Sequence, residues 1–91
     1  MKTGIVAGQV WATKRLEELP SGALLEIAVE EQYPSEERLI AFDPLGAGVG
    51  ERVLITQGSV AKGWFKNGSA VVDALVIGIL DVHRPAPKKR P

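Results

Sequence analysis

Residues 43–59 read DPLGAGVGERVLITQGS, and this segment decides how the rest of the chain is interpreted. A glycine-rich loop leads directly into an apolar strand that ends at another glycine. Gly46, Gly48 and Gly50 are separated by single small or branched residues. This spacing suits neither a helix nor a strand interior, because glycine loses the most backbone entropy on folding and offers no side chain to pack. We therefore predict a loop whose backbone comes close to another group.

Phosphate binding is the first function that a glycine-rich loop suggests, so its glycine spacing is compared with two phosphate-binding motifs. A dinucleotide-binding fingerprint needs G-x-G-x-x-G at the start of a helix, but here the third glycine comes one position early and residues 51–55 continue as a strand. A phosphate-binding P-loop needs G-x-x-x-x-G-K followed by Ser or Thr, whereas the similar spacing from Gly58 to Gly63 is followed by Trp64. The spacing therefore disfavours both nucleotide interpretations, and a tight turn with no further role stays open on the residues alone.

Length and composition indicate one small globular domain. A chain of 91 residues buries only roughly 60–65% of the surface that its unfolded form exposes. The core is therefore thin, and we expect association with neighbouring copies. The chain has no cysteine, so we expect no disulfide and no thiolate metal site. It also lacks a bilayer-length apolar run and the features of a signal peptide, so we expect no membrane contact and a cytoplasmic location.

The formal net charge is +0, but the charges are unevenly placed. Lys88, Lys89 and Arg90 lie in the last four residues, so residues 1–87 carry 8 basic against 11 acidic side chains. A domain that binds nucleic acid usually carries a net positive charge, the opposite of the net charge of residues 1–87. Residues 84–91, rich in proline and basic residues, cannot build a core, and we interpret them as a tail outside the domain formed by residues 1–83.

The apolar pattern predicts five strands, over residues 3–13, 23–29, 38–42, 52–57 and 70–82. Strand one is apolar on both faces, which implies that both are covered, and Trp11 and Phe42 are expected to pack. We predict a helical turn over residues 58–62 with Ser59 as its cap, and a small hairpin at Asn67-Gly68. The acidic segment 30–37 is predicted to be a solvent-facing loop. These elements predict an all-β fold, a small five-stranded Greek-key barrel.

Catalysis finds little support in the residues. Ser59 is a possible nucleophile and His83 is the only histidine, but no motif connects the two. The carboxylates of residues 30–37 are more typical of a solvated loop than of acid–base chemistry. We predict no enzymatic activity, no cofactor and no metal.

Three motifs together carry a resemblance. D-x-x-GAG-V-GE-x-V-L begins at Asp43, GS-x-A follows at residues 58–61, and VDA-x-V-x-GI-x-D occupies residues 72–81. With the opening strand, residues 2–13, they make the chain resemble the pentameric vertex proteins of bacterial microcompartments, in carboxysomes and in ethanolamine- and propanediol-utilising shells.

The resemblance implies an OB-like Greek-key barrel that assembles as a ring-shaped homopentamer. Such pentamers cap the vertices of an icosahedral shell whose facets are hexameric shell proteins, so the resemblance implies a structural part in the cytoplasm without chemistry of its own. The family's GAG loop surrounds the five-fold axis, which assigns the pore loop to Gly46, Ala47 and Gly48. Four further motif positions are interpreted as supports of the loop and the helical turn: Asp43, Glu51, Ser59 and Ala61.

Crowding at that axis leads to an expectation for Gly48. Five converging backbones leave little room for a side chain, and a positive φ is a second reason for glycine there.

The alternative function is a stand-alone OB-type barrel that binds single-stranded nucleic acid or a small ligand. It needs aromatic platforms flanked by basic residues, whereas the chain has five aromatic residues (two Trp, one Tyr, two Phe) and an acidic body.

Overall fold

The structure is a computed structural model that describes residues 1–19, 21–30, 37–65 and 71–81. Its elements in chain order are β1 (Lys2–Val10), β2 (Ala23–Val29), β3 (Arg38–Asp43), β4 (Arg52–Gln57), α1 (Gly58–Trp64) and β5 (Ala74–Leu80). The strands form one closed barrel in the order β1-β2-β3-β5-β4, with β4 returning to β1. The prediction of a small five-stranded barrel with a short helix is confirmed. Closure leaves no strand as the free edge of an open sheet.

The barrel closes more strongly on one side than on the other. Antiparallel ladders join β1 to β2, β2 to β3, β4 to β5 and β1 to β4. In contrast, β3 and β5 run parallel and pair only at Phe42↔Leu75. Bulges interrupt the register between Val6 and Gly8 in β1 and between Leu54 and Ile55 in β4. Such bulges bend a strand and increase its twist, as a narrow barrel requires.

The barrel interior is apolar and made of alternate residues from all five strands. Because side chains on a strand point alternately to its two faces, every second residue of β2 (Leu25, Ile27 and Val29) is buried. The interior cluster consists of Val6, Leu25, Ile27, Ala41, Val53, Ile55, Ala74 and Val76. Ala47, from the glycine-rich loop, packs against this cluster and thereby ties the loop to the core.

A second apolar cluster lies under α1 and contains Phe42, Ala61, Val72 and Leu75. The rings of Phe42 and Phe65 meet edge to face, with their centroids 5.5 Å apart. Phe42 also packs against Gly22, where an added Cβ atom would lie 2.8 Å from the ring. The prediction that Phe42 packs is confirmed, and α1 is anchored through the apolar surface that this ring provides.

The ends of the predicted elements differ from the observed ones. The first strand ends at Val10, its last partner in β2 being Leu24, so Trp11 lies beyond the ladder and is 82% exposed. The expectation that Trp11 packs is therefore not met within the single chain. The observed β5 falls inside the predicted range of 70–82. The predicted hairpin at Asn67-Gly68 and the tail, residues 84–91, lie outside the described residues.

The prediction that Ser59 caps the helix is wrong. The helix begins at Gly58, its N-cap is Gln57, and no side chain within the described ranges makes a capping hydrogen bond. Ser59 therefore lies one position inside the helix, where its side chain cannot act as the N-cap. The helix start is held by the backbone instead, because the amide of Gly58, at φ 68°, donates to the carbonyl of Asp73 over 2.8 Å.

The two end residues of the acidic segment, Glu30 and Glu37, form ion pairs with residues of other strands. Glu30 accepts hydrogen bonds from Arg52 and Glu37 accepts them from Lys2. Each of these pairs joins the end of the segment to another strand. Residues 31–36, between them, lie outside the described residues.

Candidate functional site

The candidate site is the glycine loop, residues 44–51, which connects β3 to β4. At its far end it pairs with the middle of β1: the amide of Gly50 donates to the carbonyl of Val6 at 2.9 Å, and the amide of Val6 donates to the carbonyl of Glu51 at 3.0 Å. Ala47 is half-buried against the barrel interior. The loop is therefore attached to the barrel at both ends and at its centre.

Asp43 holds the first half of the loop. Its carboxylate accepts three backbone hydrogen bonds: Oδ1 accepts from the amides of Leu45 at 2.9 Å and Gly46 at 3.2 Å, and Oδ2 accepts from the amide of Ala47 at 2.6 Å. Asp43 is the last residue of β3 and is only 5% exposed. A buried carboxylate requires such partners, and here the loop backbone supplies them.

Glu51 holds the second half. Its Oε1 accepts a hydrogen bond from the amide of Gly48 at 2.6 Å, and its own amide donates to the carbonyl of Gly48 at 3.1 Å. Side chain and backbone of Glu51 therefore close a short ring around residues 48–51. Both carboxylates bind the loop backbone, although they come from opposite ends of it.

Glycine is required at two positions of this loop and not at the third. Gly46 and Gly50 have φ values of 88° and 90°, a region that side-chain-bearing residues rarely adopt. Gly48 is not among the glycines with positive φ, so the second reason given for glycine there is wrong. A Cβ atom on Gly48 would meet Glu51 Oε1 at 3.5 Å, an ordinary van der Waals distance. Any steric need for glycine at Gly48 must therefore come from outside the single chain.

The outer side of the loop is apolar and exposed. Leu45 is 51% exposed and Val49 is 69% exposed, and Gly46 and Gly48 lie on the surface with them. Large apolar side chains on the surface of a small protein commonly mark a contact with another molecule.

The structure does not bring Ser59 and Ala61 to this loop. Both belong to α1, which follows the end of β4 opposite to the loop. Ala61 is fully buried in the cluster under the helix, while Ser59 is exposed. Their motif positions therefore belong to the packing and surface of the helix.

One element of the loop's support was not identified from the sequence. Arg52, which follows the loop, donates from Nη2 to both carboxylate oxygens of Glu30 at 2.7 Å. The partners are 22 positions apart, and no local pattern connects them. The only available signal was the presence of opposite charges at strand ends.

Two other kinds of feature are absent from the described ranges of the chain. Among those residues there is no group of three or more His, Cys, Asp or Glu side chains that could hold a metal ion. No helix in the same part of the chain is long and apolar enough to cross a membrane.

These features define the chain as a small all-β barrel of OB type. At one end it has a glycine loop whose backbone is held by the carboxylates of Asp43 and Glu51. The chain belongs to the family described as "Ethanolamine utilisation protein EutN/carboxysome", which matches residues 1–81. It is 39% identical over 83 residues to the bacterial microcompartment shell vertex protein EutN of Escherichia coli (strain K12), covering 89% of this chain and 87% of that protein.

Two solved structures extend the comparison to assembled shell proteins. The pentameric shell protein MSM0273 from the RMM microcompartment is 51% identical, with a TM-score of 0.79, and the match covers 88% of this chain and 100% of that one. The GrpN pentameric microcompartment shell protein from Rhodospirillum rubrum is 33% identical, with a TM-score of 0.78, covering 93% of this chain and 99% of that one. The nucleic-acid-binding alternative has no support among these relatives.

Proposed function

We propose that five copies of this chain form a ring that caps a vertex of a bacterial microcompartment shell. The observation that carries this proposal is the match to a pentameric shell protein at 51% identity over that protein's full length. The shell vertex role of the Escherichia coli relative supports the same conclusion. The role is structural, without catalysis, and the neighbours in the shell are hexameric shell proteins.

A closed ring of identical copies needs two different faces on each copy that fit one another. Among the described residues, ten large apolar side chains are exposed in the single chain. The most exposed of them are Met1, Trp11, Leu16, Val49, Val60 and Trp64. Ring formation provides a partner for part of this surface and supplements the thin core of each barrel.

We further propose that the glycine loop lies at the five-fold axis, with Gly46, Ala47 and Gly48 forming the pore. Three observations support this placement. Gly48 has no steric need for glycine inside the chain, the loop exposes apolar groups, and two carboxylates hold its backbone in one shape. A rigid loop of small residues is suited to a position where five copies converge.

The oligomeric state is the first test of this function. We expect light scattering coupled to size-exclusion chromatography to give a single species with five times the 9.7 kDa mass of the chain. A monomer at micromolar concentration would contradict the vertex function. Co-expression with hexameric shell proteins tests the shell role, because we expect closed shells only when this chain is present.

The placement of the loop is tested by Gly48→Val. Because an added Cβ atom at Gly48 makes only an ordinary contact and Gly48 has no positive φ, the variant barrel should fold. If five loops converge at the axis, the same side chain should weaken ring assembly. The readout is the pentamer fraction on dilution, measured by mass photometry.

The matched control is Gly63→Val, because Gly63 also has no positive φ and an added Cβ there meets nothing within 4 Å. Gly22 is not a suitable control, since its φ of 147° and its contact with Phe42 strain any side chain there. A Gly48→Val ring as resistant to dilution as the Gly63→Val ring would show that the loop is not at a crowded axis.

A further inference from the structure

We propose that the pore of this vertex ring is lined by hydrogen-bond acceptors and excludes anions. The inference rests on the proposed function, since it requires the glycine loop to lie at the five-fold axis. It extends that function by naming the class of solute that the opening rejects. The argument depends on where the backbone amides and carbonyls of residues 45–51 find their partners.

The loop uses nearly all of its amide donors internally. The amides of residues 45, 46 and 47 donate to Asp43, and the amide of Gly48 donates to Glu51. The amides of Gly50 and Glu51 donate to backbone carbonyls. Among the described residues, only the amide of Val49 in this segment has no acceptor. Glycine-rich loops bind phosphate through free amides, whereas in this loop four amides already donate to carboxylates and two donate to backbone carbonyls.

The acceptors of the loop are in the opposite situation. Within the described part of the chain, the carbonyl oxygens of residues 45, 46, 47 and 49 accept no backbone hydrogen bond. The loop can therefore present carbonyl oxygens to a passing solute, and it has almost no N–H group to offer. An anion that loses water on entering such an opening finds nothing that replaces its hydration.

The charges next to the loop act in the same direction. Asp43 and Glu51 each place a carboxylate on the loop backbone, and five-fold symmetry repeats both in every copy. Arg52, the adjacent cation, is bound through Nη2 by both oxygens of Glu30, so its charge is largely compensated. Carboxylates that surround a narrow opening with low-dielectric walls repel anions more strongly than the same charges on an open surface do.

Anomalous scattering from crystals soaked in sodium bromide tests this inference. For the parent ring we expect no bromide within about 3.5 Å of the loop amides on the axis, the reach of a hydrogen bond to an anion of this size. In Glu51→Ala the amide of Gly48 is freed and five negative charges leave the ring. We expect bromide to appear at that amide.

Two variants separate the contribution of charge from that of the amide. Glu51→Gln keeps an oxygen that can accept from Gly48 and removes only the charge, so the amide of Gly48 should stay free of bromide. Glu26→Gln is the matched control, because Glu26 lies on the outer wall of the barrel and pairs with Arg38 at 3.2 Å. It should leave the axis unchanged.

Bromide at the loop amides of the parent ring would overturn the inference. So would a Glu51→Ala ring with its loop in place and no bromide at Gly48. Should Glu51→Ala fail to form rings, bromide at Gly48 in Glu51→Gln would show that charge alone excludes anions, and the role of the amides would be wrong. A ring that places other residues on the axis would contradict the proposed pore and leave the vertex function intact, so the two failures are distinguishable.

Discussion

Removal of the Asp43 carboxylate should destabilise the protein more than any other single change in the loop. In Asp43→Ala, three backbone amides lose an acceptor that now binds them at 2.6–3.2 Å. Hydrogen bonds to charged groups contribute about 1.5–3 kcal/mol each. The sum of three such bonds is therefore an upper bound on the free energy of unfolding that Asp43→Ala loses. Leu45 and Gly46 are exposed, so water can replace the carboxylate as the acceptor for their amides. Ala47 is half-buried, so the loss of its acceptor accounts for the larger part of the destabilisation.

We therefore expect Asp43→Ala to lower the free energy of unfolding by about 2–4 kcal/mol per chain, out of about 5–10 kcal/mol for a domain of this size. Asp43→Asn should lose roughly half as much, about 1–2 kcal/mol, because its amide oxygen can still accept from Leu45 and Gly46 while its NH2 group meets the amide of Ala47. The diagnostic result is a free energy of unfolding that falls from the parent to Asp43→Asn and falls further in Asp43→Ala.

Thermal unfolding followed by circular dichroism measures this effect. The protein concentration must be held constant, because association makes the midpoint depend on concentration. Asp73→Ala is the matched control: Asp73 is exposed and precedes β5, and the change should stay within about 0.5 kcal/mol. Equal midpoints for Asp43→Ala and the parent would show that this carboxylate does not hold the loop.

Four further predictions concern the stability of the barrel and its binding to nucleic acid. Gly22→Ala should cost about 1–3 kcal/mol because its positive φ and the ring of Phe42 leave no relaxed place for a side chain, whereas Gly8→Ala, with open space around it, should not; urea unfolding compares the two. Ile55→Ala, in the barrel interior, should cost about 2–5 kcal/mol by the same measurement. Glu26→Gln removes an exposed ion pair and should change stability by less than about 1 kcal/mol. Titration with single-stranded oligonucleotides should show only weak binding that added salt abolishes, and tight, salt-resistant binding would support the alternative function instead.

Three strands and part of the candidate site could be predicted from the sequence, because the patterns that indicate them are local. Short apolar segments bounded by turn residues predicted β2, β3 and β4 to within one residue, since both signals lie within or next to the strand itself. The spacing of Gly46, Gly48 and Gly50 predicted a loop whose backbone makes close approaches. The resemblance pointed to Asp43 and Glu51, and the structure shows both carboxylates bonded to the loop backbone.

Other features could not be predicted because they depend on partners far apart in the chain. Trp11 was expected to pack, but the ladder between β1 and β2 stops at Val10↔Leu24, and Trp11 lies beyond it. Gly22 belongs to none of the sequence motifs, and only folding places the ring of Phe42 against it. Ser59 was expected to cap α1, but the helix starts two residues earlier than that role requires, with Gln57 as its N-cap.

The sequence by itself determined the fold class, the approximate strands, the position of the glycine loop and the resemblance to shell vertex proteins, because each of these is a pattern of residue types along the chain. Only the tertiary structure decided that β3 pairs in parallel with β5 at Phe42↔Leu75, that Arg52 binds Glu30, and that the loop's own carboxylates use its amides. The first two contacts join residues that are distant in the chain, and the third forms within the loop, which hydrogen bonds to Val6 attach to β1. Their geometry follows from barrel closure, in which the register of every ladder constrains all the others.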